Sequence, residues 1–380
     1  MYKGGVEMNI YTVKTGDSLY SISQQYNVQY TKLASDNEID ASVPLIVGES
    51  LVIDTPSTKL GDIEVNGFIN PNIKLDVLNK TLPYLTYLSI FSYSANVTGT
   101  LETIEDETFI RLAKAQGVAP MMVVNNRDFS SSVAHQIFNN YELQTTLLNN
   151  IVYVLESKGY YGINFDLEYI YEYDRYTYNR FLNRAVTLLR SMGYKVFTSL
   201  APKYNESQQG LLYTAHDYRY HGNSVDRVVL MTYEWGHTYS SPRAVAPVDQ
   251  VSRVLDYATT AIPPSKILMG VPNYGYDWTL PWVNDVPARA IGNTNAVNTA
   301  RNVKASIEFD QESQTPHYSY YDKNKKQHVV WFEDARSIYQ KLLLVNKYNI
   351  AGVSYWTINR FFKQNWVILD SMYNIVKVNI

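Results

Sequence analysis

The sequence predicts an α/β protein: a (β/α)8 barrel with an α+β insertion after its seventh strand, preceded by a small βααβ domain. Three observations carry this. From Asp62 onward, eight short apolar runs alternate with stretches of helical period. The interval from Val271 to Ile350 is much longer than the others and holds extra strand-like pieces. Ahead of them, a separate N-terminal segment changes period twice before a polar, Pro-containing stretch.

A chain of 380 residues with 46% apolar content can bury a large core, which suits one big domain plus a small one. Its 33 basic and 36 acidic residues leave a net charge of −3 with no long block of one sign, so neither nucleic acid nor an anionic membrane is expected as a partner. Cysteine is absent, which excludes disulfides, thiolate metal sites and thiol nucleophiles. No apolar run approaches the ~20 residues of a membrane span. The opening stretch from Met1 to Met8 lacks the apolar core of a signal peptide, so classical secretion is not expected. The 34 tyrosines suit either stacking platforms for sugar rings or the edges of a core.

The small domain is placed at 8–54. Tyr11 and Val13 alternate as in a strand, and Leu19, Ile22 and Tyr26 then recur at helical spacing behind Asp17 or Ser18, either of which can cap the helix. Thr31 to Ser35 fits a second short helix, and Ser50 to Ile53 a returning strand. Residues 55–61 read as a linker.

The barrel is placed at 62–380. Its strand candidates are Glu64 to Ile69, Tyr87 to Phe91, Ala119 to Val124, Gly162 to Glu168, Lys195 to Ala201, Arg227 to Tyr233, Lys266 to Val271 and Ile350 to Trp356. Helical patterns lie between them, such as Leu147, Leu148, Ile151, Val152 and Leu155. The insertion, at about 275–345, includes strand-like His317 to Tyr321 and His328 to Phe332; the Lys323 to Lys326 cluster reads as a solvated hairpin turn.

The fourth strand candidate carries the chemistry. Residues two apart on a strand share a face, so Asn164, Asp166 and Glu168 project together, opposite Ile163, Phe165 and Leu167. In a barrel the apolar face meets the helices and the polar row points inward, with Glu168 nearest the carboxyl end, where barrel active sites sit. Burying two carboxylates and an amide costs several kcal/mol unless they are partnered or protonated, so chemistry explains the row better than a satisfied polar layer. Two strand rises separate Asp166 and Glu168 by about 7 Å at the backbone, close enough for like charge to raise one pKa. A carboxylic acid kept protonated near neutrality can protonate a glycosidic oxygen. The strand alone nominates no separate carboxylate nucleophile, so its source stays open between the rest of the chain and the substrate.

Val13-Lys-Thr-Gly-Asp-Ser-Leu19 at the front of a βααβ segment closely resembles the LysM module. The resemblance implies binding of N-acetylglucosamine-containing glycans such as peptidoglycan or chitin. The groove would lie between the loop of Thr15, Gly16, Asp17 and Ser18 and the loop around Val43 to Ile46. Gly162-Ile-Asn-Phe-Asp-Leu-Glu168 resembles the Asp-Gly-x-Asp-x-Asp-x-Glu signature of family 18 glycoside hydrolases, with Tyr161 and Asn164 standing where that signature has its first two Asp. By that resemblance Glu168 is the acid, Asp166 orients the acetamido N–H and stabilises an oxazolinium ion, and the sugar's own acetamido oxygen attacks. Asn164 removes a charge that would modulate Asp166, so the pH profile is where the departure bears.

Met231-Thr-Tyr233 resembles the family's Met-x-Tyr segment, whose Tyr bonds the acetamido carbonyl, and Trp356 stands where a Trp floors the same subsite. Glu234 occupies the position of an Asp that contacts substrate in many members. The runs Gly270 to Trp278 and Tyr320 to Arg336 resemble the LysM-bearing spore cortex-lytic N-acetylglucosaminidases of endospore formers. Those typically carry two LysM modules; one is seen here.

The histidines form no metal-binding pair, and His216, His221, His237 and His328 read as ordinary polar residues; no Gly-rich phosphate loop appears, so no metal or cofactor is expected. The expected function is retaining, substrate-assisted hydrolysis of β-1,4 bonds after N-acetylglucosamine in peptidoglycan, with association to spore coat or cortex. The competing readings are a chitinase and a non-catalytic glycan-binding spore-coat protein. Retention of Glu168, Asp166 and Tyr233 argues against the last.

Overall fold

The structure, a computed structural model, describes residues 8–40, 42–53 and 58–380. The first part of the linker expected at 55–61 lies outside the described residues. Eight parallel strands follow one another around a barrel: Asp62–Ile69, Tyr87–Ala95, Ala119–Asn126, Gly162–Asp166, Lys195–Leu200, Arg227–Leu230, Ile267–Pro272 and Gly352–Trp356. The first strand pairs with both the second and the eighth, Asn66 facing Tyr87 on one side and Ser354 on the other, which closes the ring.

Alternation along the strands sorts the layers. Outward, Ile163 and Phe165 are fully buried against helices; Phe165 meets Phe181 edge to face at 5.8 Å. Phe181 belongs to Arg175–Ser191, whose buried Phe181, Leu182, Ala185, Val186 and Leu189 recur at 3.6 spacing and form the stripe that docks on the barrel. Each such side chain contributes roughly 1.5–3 kcal/mol by leaving water, and Phe181→Ala would cost about 3–5 kcal/mol. Inward, the apolar cluster of Phe68, Met121, Val123, Phe197, Val229 and Leu268 is joined by a polar set that satisfies itself: Asn66 donates to Ser354 Oγ at 2.9 Å and accepts from Ser89 Oγ at 2.8 Å.

The fourth and sixth strands stop well short of the carboxyl ends that their sequence patterns predict. The fourth was expected to reach Glu168, but its pairing ends at Asn125 opposite Asp166. The sixth was expected to reach Tyr233 and stops at Leu230, because Thr232 and Tyr233 turn their N–H groups back to Leu230 O and Met231 O, both at 2.8 Å. Apolar alternation continues past the point where a neighbouring strand is available to pair.

After the seventh strand comes an antiparallel five-stranded sheet, built from Gly275–Thr279, Arg289–Ile291, Glu308–Asp310, Thr315–Tyr321 and Gln327–Trp331, with the helix Asn293–Val303 packed on it. The Lys323 to Lys326 cluster forms the expected exposed turn: Asp322 N–H donates to Lys326 O, and Lys325 N–H to Asp322 O, both at 2.9 Å.

At the N-terminus, Asn9–Thr12 pairs antiparallel with Ser50–Ile53 around helices Leu19–Tyr26 and Tyr30–Asp36. Ser18, not Asp17, is the cap: its Oγ accepts from Ser21 N–H at 3.0 Å, and Ser21 Oγ returns the favour at Ser18 N–H, closing a capping box. This unit is docked, not free. Glu49 is ion-paired to Arg301 of the insertion at 2.7 Å, Gln364 donates to Asn37 Oδ1 and Ser50 O, and Arg336 donates to Gly48 O.

Candidate active site

Beyond Asp166 the chain has no strand partner, and its backbone is held by side chains instead. Asn126 Oδ1 accepts from Glu168 N–H and Asn126 Nδ2 donates to Glu168 O, both at 3.0 Å. The His216 ring is wedged between two backbones: Nδ1 accepts from Ala201 N–H at 2.9 Å, which fixes the proton on Nε2, facing Leu167 O at 3.0 Å. Burial holds the His216 pKa down to about 4, so the ring stays neutral and keeps that tautomer. Tyr169 then turns the chain through a left-handed conformation at φ 52°.

This arrangement places Glu168 in a cleft of about 550 Å³ at the carboxyl ends of the strands, with Asp166, Tyr233, Met231, Glu234 and Trp356 also lining it. Asp166 is buried, and one of its oxygens, Oδ1, has no hydrogen-bond partner in the protein. Burial raises the Asp166 pKa to about 7, partly offset by a hydrogen bond from Ser199. Burial, and then the neighbouring Asp166 charge, push the Glu168 carboxyl well above the usual range. The pair therefore holds a proton near neutrality that two separate surface carboxylates would have lost.

Tyr233 stays a phenol: burial and the surrounding carboxylates of Asp166, Glu168 and Glu234 raise its pKa well above 10. Its ring has room because residue 270 on the next strand is glycine; a Cβ there would come within 2.7 Å of Tyr233 Cε1. Trp356 is gripped edge to face by Phe68 and Phe91, with ring centroids at 5.5 and 5.0 Å. Glu234 accepts hydrogen bonds from the hydroxyls of Tyr274 and Tyr276.

Asn164 lies one layer below the cleft. It is fully buried and donates to Ser199 Oγ at 3.0 Å, so it reaches Asp166 through Ser199 and does not line the cleft itself. In the N-terminal unit, Asp17 accepts from Tyr11 Oη and Lys14 N–H, both at 2.7 Å, and Ser18 is the helix cap; Thr15 and Gly16 stand exposed. Ile46, on the opposite loop of the expected groove, packs on the insertion's core, and Pro44 O accepts from Arg301.

Asn126 and Ser199 were not singled out by the sequence, and His216 and His237, the latter lining the cleft, were read as ordinary. The pair Asn125-Asn126 ending an apolar strand is a signal for the first; the partners of the others are visible only in the fold. Among the described residues no three His, Cys, Asp or Glu side chains gather as a metal site requires. A larger groove of about 970 Å³ runs between the outer helices Tyr141–Lys158 and Arg175–Ser191, but no carboxyl lines it.

Comparison with known proteins settles the family: "Glycosyl hydrolases family 18" matches residues 70–360, which take in the second to eighth barrel strands and the cleft residues from Phe91 to Trp356. The chain belongs to family 18 of the glycosyl hydrolases. This glycosidase also carries a LysM domain, matched at residues 11–54. It is 40% identical to the cortical fragment-lytic enzyme of Bacillus subtilis (strain 168), across 97% of this chain and 99% of that one. The crystal structure of the Bacillus cereus spore cortex-lytic enzyme SleL superposes with a TM-score of 0.91 at 33% identity, covering 97% of this family 18 chain and 99% of SleL. The SleL of Bacillus megaterium QM B1551 gives 0.82 at 35% identity, with 97% and 87% covered.

Proposed function

We propose that this glycosidase hydrolyses β-1,4 bonds after N-acetylglucosamine in peptidoglycan of the spore cortex or its fragments, with retention and with the substrate's acetamido group as nucleophile. The single observation that carries the mechanism is the buried, unpartnered Oδ1 of Asp166 beside a Glu168 whose proton is retained. An acetamido N–H gives that oxygen the donor it lacks, turning the acetamido oxygen toward the anomeric carbon. Tyr233, a donor at every working pH, bonds that oxygen. Glu168 gives its proton to the leaving oxygen and then takes one from the water that opens the oxazolinium ion. Trp356 supports the sugar ring, and the LysM domain holds neighbouring glycan.

The cortex as substrate rests on the similarity to the cortical fragment-lytic enzyme and to SleL. Association with spore coat or cortex follows from the same similarity, and immunolocalisation on developing spores checks it. The chemistry has a direct test. Cortex fragments and chitooligosaccharides, each intact or de-N-acetylated, are assayed for new reducing ends, and the products are identified by mass spectrometry. Cleavage should require the N-acetyl group and favour cortex fragments. Equal rates on de-N-acetylated glycan would refute substrate assistance, and a preference for chitooligosaccharides would make the enzyme a chitinase.

A further inference from the structure

A second groove, of about 510 Å³, continues past the acid cleft; Trp356 and Glu234 line both and mark the join. Lys74 and Arg360 line only the second groove, and neither is ion-paired among the described residues. Glu234, the one carboxylate lining it, is already engaged by Tyr274 and Tyr276. The groove therefore offers two free cations and no free anion.

Its walls are held in place before any ligand arrives. Asn359 Nδ2 donates to Asn70 O at 3.2 Å and to Asn72 Oδ1 at 3.0 Å, while Asn359 Oδ1 accepts from Asn70 N–H at 2.9 Å. Asn273 Nδ2 donates to Thr357 O at 3.1 Å and Arg360 O at 2.6 Å. The Arg360 side chain runs across Gly292, where any Cβ would come within 2.8 Å of Arg360 Cδ. Gly292 caps the helix Asn293–Val303, so the guanidinium is parked at the positive end of a helix dipole. A cation there is unfavourable on its own and becomes favourable with an anion against it.

We propose that this groove takes the sugar next to the one cleaved, and that Arg360 and Lys74 recognise a carboxylate on that sugar's substituent. The proposal rests on the peptidoglycan reading above. Alternate sugars of that polymer carry a lactyl ether whose carboxyl is free, extended by a peptide bearing carboxylates of its own, or closed as an uncharged lactam; the first two offer an anion, and chitin offers none. Arg360 and Lys74 are thus specificity residues that separate the two polymers by charge.

The test compares kcat/KM of the wild type and of the double variant Arg360→Gln, Lys74→Gln on matched substrates. These are peptide-bearing fragments, peptide-stripped fragments with the lactyl carboxylate free, and both kinds with their carboxylates amidated. The substitutions should lower the ratio of charged to amidated substrate about tenfold, mostly through KM, as loss of a charge-assisted hydrogen bond at a partly exposed site would. A fall on peptide-bearing substrate alone assigns the peptide carboxylate, and a fall on stripped substrate assigns the lactyl group. The same ratio in wild type and variant on both kinds overturns the proposal. If the wild type cuts none of these glycans, the peptidoglycan reading fails instead. The charge proposal is then decided by binding of the same fragments to Glu168→Gln protein, where the double substitution should weaken charged ligands tenfold more than amidated ones; equal weakening overturns it.

Discussion

The side chain of Asn126 meets both polar groups of the Glu168 backbone, accepting from its N–H and donating to its C=O at 3.0 Å each. It reproduces with an amide side chain the pairing that the barrel ladder withdraws two residues earlier. Asn126→Asp keeps the acceptor, loses the donor and adds a charge. We expect kcat to fall about ten- to a hundredfold with KM little changed, because small displacements of a catalytic group cost that much. Steady-state kinetics on cortex fragments measure it. A rise in KM at constant kcat would mean that Asn126 does not position the acid.

Removing the proposed acid should be more severe. Glu168→Gln preserves volume and discards the proton, so hydrolysis should fall by about 10²–10⁴ or more while glycan affinity stays within a few-fold. Asp166→Asn should also be severely impaired, since the acetamido group loses its charged partner. Near-normal turnover in the Asp166 variant would sink the substrate-assisted scheme.

The raised carboxyl pKa values make a stability prediction of definite sign. Asp166 binds its proton more tightly in the folded protein, near pKa 7 against 3.8 unfolded, and Glu168 is shifted the same way. Their contribution is full below the unfolded values and is lost as pH rises through the folded ones. Wild type should therefore lose stability relative to Glu168→Gln between about pH 4 and about pH 7.5. Urea unfolding at the two pH values tests this; a wild type that gains on the variant contradicts it.

Arg301 and Glu49 form an ion pair with side chains only 12% and 3% exposed, joining the insertion to the LysM domain. Arg301→Ala leaves the buried Glu49 without its cation, which should cost about 3–5 kcal/mol at the interface. Calorimetry should show the LysM domain melting earlier than the barrel. One unshifted transition would mean that the remaining contacts carry the docking.

The polar row on the fourth strand was legible because a period of two survives burial: nothing but an inward face explains Asn164, Asp166 and Glu168 beside Ile163, Phe165 and Leu167. Tyr233 and Trp356 were legible as local motifs at strand ends. What escaped was whatever acts through another residue's backbone. Asn126 and His216 reach Glu168 and Leu167 across 42 and 49 positions, and no local pattern encodes such a contact. The strand ends were overrun for a related reason, since apolar alternation reports burial and not the presence of a partner. The docking of the LysM domain is likewise a matter of tertiary packing, in which Ile46 looks the same in sequence whether it faces glycan or the insertion.

That docking changes how an insoluble polymer is read. A binding module on a loose tether would let the catalytic body sample any bond within a radius. Here Glu49, Asn37 and Gly48 are bonded to the catalytic body, so the distance and angle between the two glycan-handling surfaces are constants of the molecule. If both surfaces hold one glycan, as proposed above, the pair would act as a ruler laid along the polymer, and the spacing of cuts would follow protein geometry instead of diffusion of the cleft about its anchor.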